Sequence, residues 1–240
     1  MATVSVPGPT SESAHRTSGR RRFRRGGRGT WALLLVAVPV LAVLLFVIFR
    51  PILVLPRIGP APGFVLTDAQ GHPVSHEDFR GKVTVYTVAT TDCTDACAET
   101  YALLRRLAAQ TGQETWPAPV ELVTVYLDSA TPEQLRQVAA QVDVDPSRWR
   151  LLSGDPRSLK YLVGGGFELY YREGPAGRIE FEPGLVLVDG VGVLRAMYRG
   201  SLPSSQEVLR DLETLMAEIQ NSKGWTRYAY EAAHLFLCYP

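Results

Sequence analysis

The chain has 240 residues, enough for one domain of ordinary size with extensions. Its formal net charge of +1 hides an asymmetry: residues 1–50 carry eight Arg and one acid, Glu12, while the rest carries 17 basic and 23 acidic residues, a net of −6. An acidic body argues against nucleic acid as the partner of the folded part. A hydrophobic content of 46% excludes a wholly disordered chain, and three cysteines are too few for a disulfide scaffold.

Residues 1–30 are rich in Ser, Gly, Pro and Arg, lack apolar periodicity, and read as a disordered basic head. WALLLVAVPVLAVLLFVIF, residues 31–49, carries no charge. At ~1.5 Å per residue it spans ~28 Å, about a bilayer's hydrocarbon thickness. Pro39 is tolerated in a membrane helix. Seven Arg precede the run, so the head is expected in the cytoplasm and the chain beyond Arg50 on the extracytoplasmic side. A cleaved signal peptide has a shorter apolar run and a small-residue cleavage site, which RPILVLP does not supply. RRRFRR resembles a twin-arginine signal, but the apolar run is long for one. Residues 31–50 are therefore expected to be a single-pass anchor in the cell membrane. Pro51, Pro56 and Pro60 make 51–61 a stiff linker.

Residues 62–220 read as the folded domain, with elements in the following order. FVLTDAQGHPVS forms a hairpin around Ala69-Gln70-Gly71. KVTVYTVAT, 82–90, is a strand covered on both faces. A helix follows over about 95–110, with Ala98, Tyr101, Leu103, Leu104 and Leu107 on its apolar side. VELVTVYLD, 120–128, is a second buried strand. Thr131-Pro132 opens a helix as N-cap and first-turn proline, and Asp155-Pro156 repeats that pattern before a short helix. FELYYREGPAGRIEF is an extended arm. GLVLV, 184–188, is a third buried strand, VLRAMYRG is its hairpin partner, and a helix over about 204–219 closes the domain. Alternating strands and helices imply an α/β fold, a central mixed sheet flanked by helices in a thioredoxin-like layout.

Cys93 and Cys97 lie four apart at the junction of the first buried strand and its helix. Ligands in such sheets gather at the carboxyl ends of strands. The spacing allows a disulfide or two thiolates holding a soft ion such as Cu(I), and the bland alternative is two small buried hydrophobes. The helix N-terminus lowers a thiol's pKa, whereas Asp92 and Asp95 act the other way.

TDAQGHPVSHEDFRGKVTVYTVATTDCTDAC, VYLDSATPEQL, WRLLSGDP and LYYREGP resemble segments of the Sco/SenC family, thioredoxin-fold copper chaperones of cytochrome oxidase assembly, over about residues 62–215. The resemblance implies an N-terminal membrane helix, copper bound by two cysteines and one histidine, and an oxidase subunit with a dinuclear copper site, or another thiol protein, as partner. Cys93 and Cys97 would be the sulfur ligands. The family's histidine stands eight residues before the end of the strand LVLVD; here that position is Phe181, which has no ligand atom. Thr94 replaces the proline common between the cysteines. Copper affinity is therefore expected to be weaker than in members with the histidine. EPGLVLVD instead resembles the segment of thioredoxin and TlpA-like proteins in which a cis-proline faces the cysteines. This makes Pro183 a third catalytic candidate with a cis bond after Glu182; the plainer alternative is a proline that starts a strand.

His72 and His76 read as solvated surface residues. Asp128 ends the second strand on the cysteine edge, as a proton acceptor, a ligand neighbour or a plain loop acid. The tail, 221–240, sets aromatics and Leu around His234 and Cys238; it reads as a docking segment for an apolar groove or a bilayer surface, with a metal or redox pair as the alternative. The expected function is help in building the oxidase copper centre by thiol–disulfide exchange, Cu(I) handling or both, with Cys93 attacking and Cys97 resolving. A non-catalytic interaction scaffold with a structural disulfide is the other class.

Overall fold

The computed structural model describes residues 27–49, 53–93, 95–113, 115–143 and 145–237. It divides into two compact units at residue 50. The first contains helix α1 (Gly27–Phe49), with Pro39 inside and every described side chain exposed. The helix takes in residues 27–30, the end of the expected disordered head. Among the described residues no helix is long and apolar enough to cross a membrane.

The second unit is built on an eight-stranded mixed sheet. Its strands are β1 (Gly59–Pro60), β2 (Val65–Asp68), β3 (Pro73–Ser75), β4 (Val83–Ala89), β5 (Val120–Tyr126), β6 (Trp149–Ser153), β9 (Gly184–Val188) and β10 (Val193–Arg199). Their order is β1-β10-β9-β4-β5-β6-β2-β3. A separate ribbon joins β7 (Tyr171–Glu173) to β8 (Ile179–Phe181), the expected arm. Helices α2 (Asp95–Gln113), α3 (Pro132–Val142), α4 (Pro156–Leu159), α5 (Ser205–Asn221) and α6 (Thr226–Leu237) complete it, with a π-helical turn over Lys160–Gly166.

The buried strands form because Val and Thr dominate them and pack well on a pleated surface. All seven residues of β4 are buried. It pairs in parallel with β5 and antiparallel with β9, Thr87 lying opposite Leu185. Period-two alternation splits the core into two layers. Val83, Val85, Ala89, Leu122, Tyr126, Leu185 and Leu187 face one layer with Leu104 and Leu107 of α2 and Leu212 of α5. Tyr86, Val88, Val123, Val125 and Val186 face the other, with Phe64, Phe79, Leu159, Leu162 and Phe167. The mixed α/β layout read from the sequence is thus the one observed.

Three elements depart from the sequence reading. β6 was not foreseen; its five residues lie between Arg148 and a Gly-Asp-Pro turn, too short to show alternation, yet it joins β5 to the β2–β3 hairpin. The segment expected as linker includes β1, which pairs Gly59 and Pro60 with Leu194 and Val193. The tail contains a regular helix, α6; Cys238 lies outside the described residues.

β1, β10, α5 and α6 meet at a buried guanidinium. Arg195, its side chain 3% exposed, pairs with Asp189 at 3.0 Å and with Glu218 at 2.5 Å. It also donates to the Pro56 and Leu55 carbonyls at 3.1 and 2.9 Å. His234 of α6 bonds the second Glu218 oxygen at 2.9 Å. Arg57 bonds Glu231 of α6 at 3.0 and 3.2 Å, which holds the Glu231 carboxyl below the usual carboxylate range. Breaking a buried pair by removing one partner strands a buried charge. Arg195→Leu is therefore expected to cost about 3–5 kcal/mol of stability. Urea unfolding of the full chain in detergent measures it; a loss of only about 0.5 kcal/mol, as for an ordinary surface change, would contradict the role given to Arg195.

Candidate functional site

The carboxyl end of β4 runs through Thr90 and Thr91 into the cysteine loop, and α2 begins at Asp95. The Cys93 amide donates to the Thr90 carbonyl at 3.3 Å. Cys97 falls in the first turn of α2, so its side chain returns toward the loop. The two sulfurs form a disulfide of 2.05 Å, with Cα atoms 5.7 Å apart. Cys97 is 1% exposed and packs in the α2 core layer, whereas Cys93 is half-buried at its edge. An incoming sulfur therefore finds Cys93 first. Asp92 is exposed.

The loop is held from β5. Asp128, just past that strand, accepts from the Thr91 amide at 2.8 Å and the Thr91 hydroxyl at 2.5 Å through Oδ2. Its Oδ1 is buried and has no hydrogen-bond partner. One turn along α2 from Cys97, the Tyr101 hydroxyl meets that of Tyr126 at 3.0 Å in the same core layer. Burial pushes both phenols above their ordinary pKa. Both phenols are thus neutral donors at physiological pH.

β9 lies beside β4, Thr87 opposite Leu185, so Pro183 enters β9 at the carboxyl end of β4, whereas Phe181 belongs to the separate β7–β8 ribbon. Thr87 Oγ1 donates to the Gly184 carbonyl at 2.8 Å, fixing that register. Gly184 has no room for a side chain: a Cβ there would lie 2.4 Å from Leu169 Cδ2 and 2.9 Å from the Tyr198 carbonyl. Phe181 is half-buried and packs against both core layers. The expected cis bond is not found, since no peptide among the described residues is cis. The Glu182 amide donates to the Tyr170 carbonyl at 3.1 Å and prolongs the β7–β8 ladder, so the chain enters β9 extended, as a residue before trans proline does.

Next to the loop lies an open groove of about 780 Å³. Leu127, Asp128, Lys160, Leu169, Tyr171 and Ile179 are among the residues lining it. Asp128 thus serves the loop and the groove at once. Sequence reading placed Asp128 on this edge but missed Thr91 as its partner and the Tyr101–Tyr126 pair. A threonine just after a buried strand was the available signal.

The other candidates stay apart from the sulfurs. His72 is exposed, 3.8 Å from Asp68. His76 accepts from the Phe64 amide at 3.4 Å and lines a smaller cavity with Val188 and Asp189, at the opposite end of β4 and β9. His234 is engaged with Glu218. Among the described residues no group of three or more His, Cys, Asp or Glu side chains could hold a metal ion.

Solved structures of other proteins share the fold, among them the following three. A SCO1/SenC family lipoprotein from Bacillus anthracis is 23% identical, with a TM-score of 0.60 over 66% of this chain and 95% of that one. ScoI of Arabidopsis thaliana, solved with copper bound, is 17% identical, with a TM-score of 0.56 over 65% and 99%. BsSco, a member of the Sco family of cytochrome c oxidase assembly proteins in which a disulfide switch was identified, is 18% identical, with a TM-score of 0.57 over 69% and 98%. No curated protein matches the chain. The family described as SCO1/SenC matches residues 59–217, from β1 into α5, and so includes the disulfide, the Asp128 clasp and the Pro183 strand. By that match the chain belongs to the SCO1/SenC family.

Proposed function

We propose that this is a membrane-anchored, extracytoplasmic protein that helps to assemble the copper centre of cytochrome c oxidase, acting through Cys93 and Cys97 by thiol–disulfide exchange, Cu(I) handling or both. Residues 31–50 are the anchor, 62–220 the working domain, and an oxidase subunit with a dinuclear copper site, or another thiol protein, is the partner. The observation that carries this reading is the placing of the pair: a disulfide at the end of the central strand, with one sulfur reachable and the other buried.

In exchange, the reduced Cys93 thiolate attacks a sulfur of the partner's disulfide and a mixed disulfide forms. The Cys97 thiolate then attacks Cys93 Sγ, the partner leaves as a dithiol, and the Cys93–Cys97 bond is restored with two electrons passed to the partner. Asp128 fixes the loop through Thr91 while this happens, and the groove beside it receives the partner's chain. Pro183 borders the same end of β9. Because its bond is trans, it gives exchange no precedence over copper delivery.

Copper enters as cargo. The reduced pair offers two thiolates, soft donors that suit Cu(I) in low coordination. Phe181 occupies the position that the family resemblance gives to histidine and offers no donor. The site therefore fits Cu(I) and fits Cu(II) poorly.

A second reading is a scaffold with a structural disulfide, favoured by the complete burial of Cys97 and by the trans bond. Cells carrying Cys93→Ser/Cys97→Ser at normal abundance separate the two. Loss of the oxidase copper-centre absorbance is expected; full assembly would leave only the scaffold reading. Copper titration of the reduced chain should give one Cu(I) bound and little Cu(II), and Phe181→His should gain Cu(II) binding. Tight stoichiometric Cu(II) binding by the unaltered chain would show that another residue completes the site, with Glu182 the first to test. Brief alkylation of the reduced chain, followed by mass spectrometry, should label Cys93 well before Cys97. Equal labelling would remove the distinction between attacker and resolver.

A further inference from the structure

The end of the domain opposite the cysteines carries an apolar surface that is exposed among the described residues. Helix α6 buries Ala233 and His234 against the domain. Trp225, at its entry, is 89% exposed, and Tyr228 and Leu235 are 70% and 66% exposed. Positions 225, 228 and 235 share one face of a helical path. Trp225 and Tyr228 touch, their ring centroids 6.1 Å apart. Leu53 and Ile58, from the segment clasped to α6 through Arg57, are exposed as well, as is Val191 in the turn between β9 and β10. Lys223 and Arg227 flank the stripe and are exposed, whereas Glu231, the one acid in α6, is committed to Arg57.

Trp and Tyr with Leu on one side and Lys and Arg beside them is the composition of a helix that lies in a membrane interface. The flanking cations match the negative surface that anionic lipids create. A tether reinforces this. In sequence, Arg57, which holds α6, follows the apolar run 31–49 by eight residues.

We infer that α6 is an interfacial helix: its Trp225–Tyr228–Leu235 face inserts among the headgroups of anionic lipid, and Arg195, Glu218 and His234 transmit that hold to the sheet. The inference rests on the anchored reading given above. It directs the cysteine end away from the bilayer, because Cys93 follows the far end of β4 from the Asp189 turn.

The full chain in vesicles of phosphatidylcholine and phosphatidylglycerol, with acyl chains brominated near the carbonyl, tests it. Emission lost in Trp225→Phe isolates Trp225, and Trp31→Phe isolates Trp31 of the anchor. Loss of most of the Trp225 component on bromination, larger with phosphatidylglycerol than without, is the expected result. A Trp225 component that bromine spares and iodide quenches stands free in water and overturns the inference. One that both spare is covered by protein, a partner or a second copy, and also overturns it. The Trp31 component judges the anchor separately: spared by bromine, it refutes the anchored reading whatever Trp225 does.

Discussion

The pairing of β4 on both edges is the constraint from which the site follows. A strand buried on both faces, parallel to β5 on one side and antiparallel to β9 on the other, cannot shift by one residue without turning Val85 and Tyr86 to the wrong layers. That register decides where three separate stretches of chain end. The cysteine loop leaves β4, Asp128 leaves β5, and Pro183 enters β9, all at one end of the sheet. The disulfide needs no special device to reach this place; it is where the central strand stops.

The two ends of the domain do different physical work. At the cysteine end the Asp128 carboxylate is shared unevenly: one oxygen holds the loop through Thr91 and the other is buried without a hydrogen-bond partner among the described residues. At the opposite end, Arg195 satisfies two carboxylates and two carbonyls, and His234 and Arg57 close the set. A fully satisfied buried network rigidifies, whereas an unpaired buried oxygen is costly. The charged end joins chain segments far apart in sequence, from Leu55 to His234, and makes one body of them.

Most of the sheet was legible because its strands are long, β-branched and uncharged, and its helices open on Thr131-Pro132, Asp155-Pro156 and Ser204, whose caps form as the residue types require. β6 was not, because Trp149 and Leu151 point to one layer and Leu152 to the other within only five residues. The edge role of 53–60 was hidden by its prolines, which suggest a spacer until Arg195 supplies the reason for packing. The cysteine pair and Asp128 were visible as residue types at strand ends. Thr91, Tyr101 and Tyr126 were not, since their roles depend on neighbours distant in sequence. The cis bond was not legible either: similarity of EPGLVLVD to a redox segment rests on residue types, and residue types alone do not fix the isomer of an X-Pro bond.

The Asp128 clasp has a consequence for how the state of the sulfurs is felt elsewhere. Thr91 is fixed two residues before Cys93, and Cys97 is embedded in the packed flank of α2. Opening or closing the bond between them has to be absorbed within the few residues in between. Cys97 shares its core layer with Val85, Leu187 and Leu212, so its sulfur is tied to the sheet and to α5, while Cys93 sits in the loop at the edge of that layer. The bond between them therefore links a fixed point of the core to the edge of the domain.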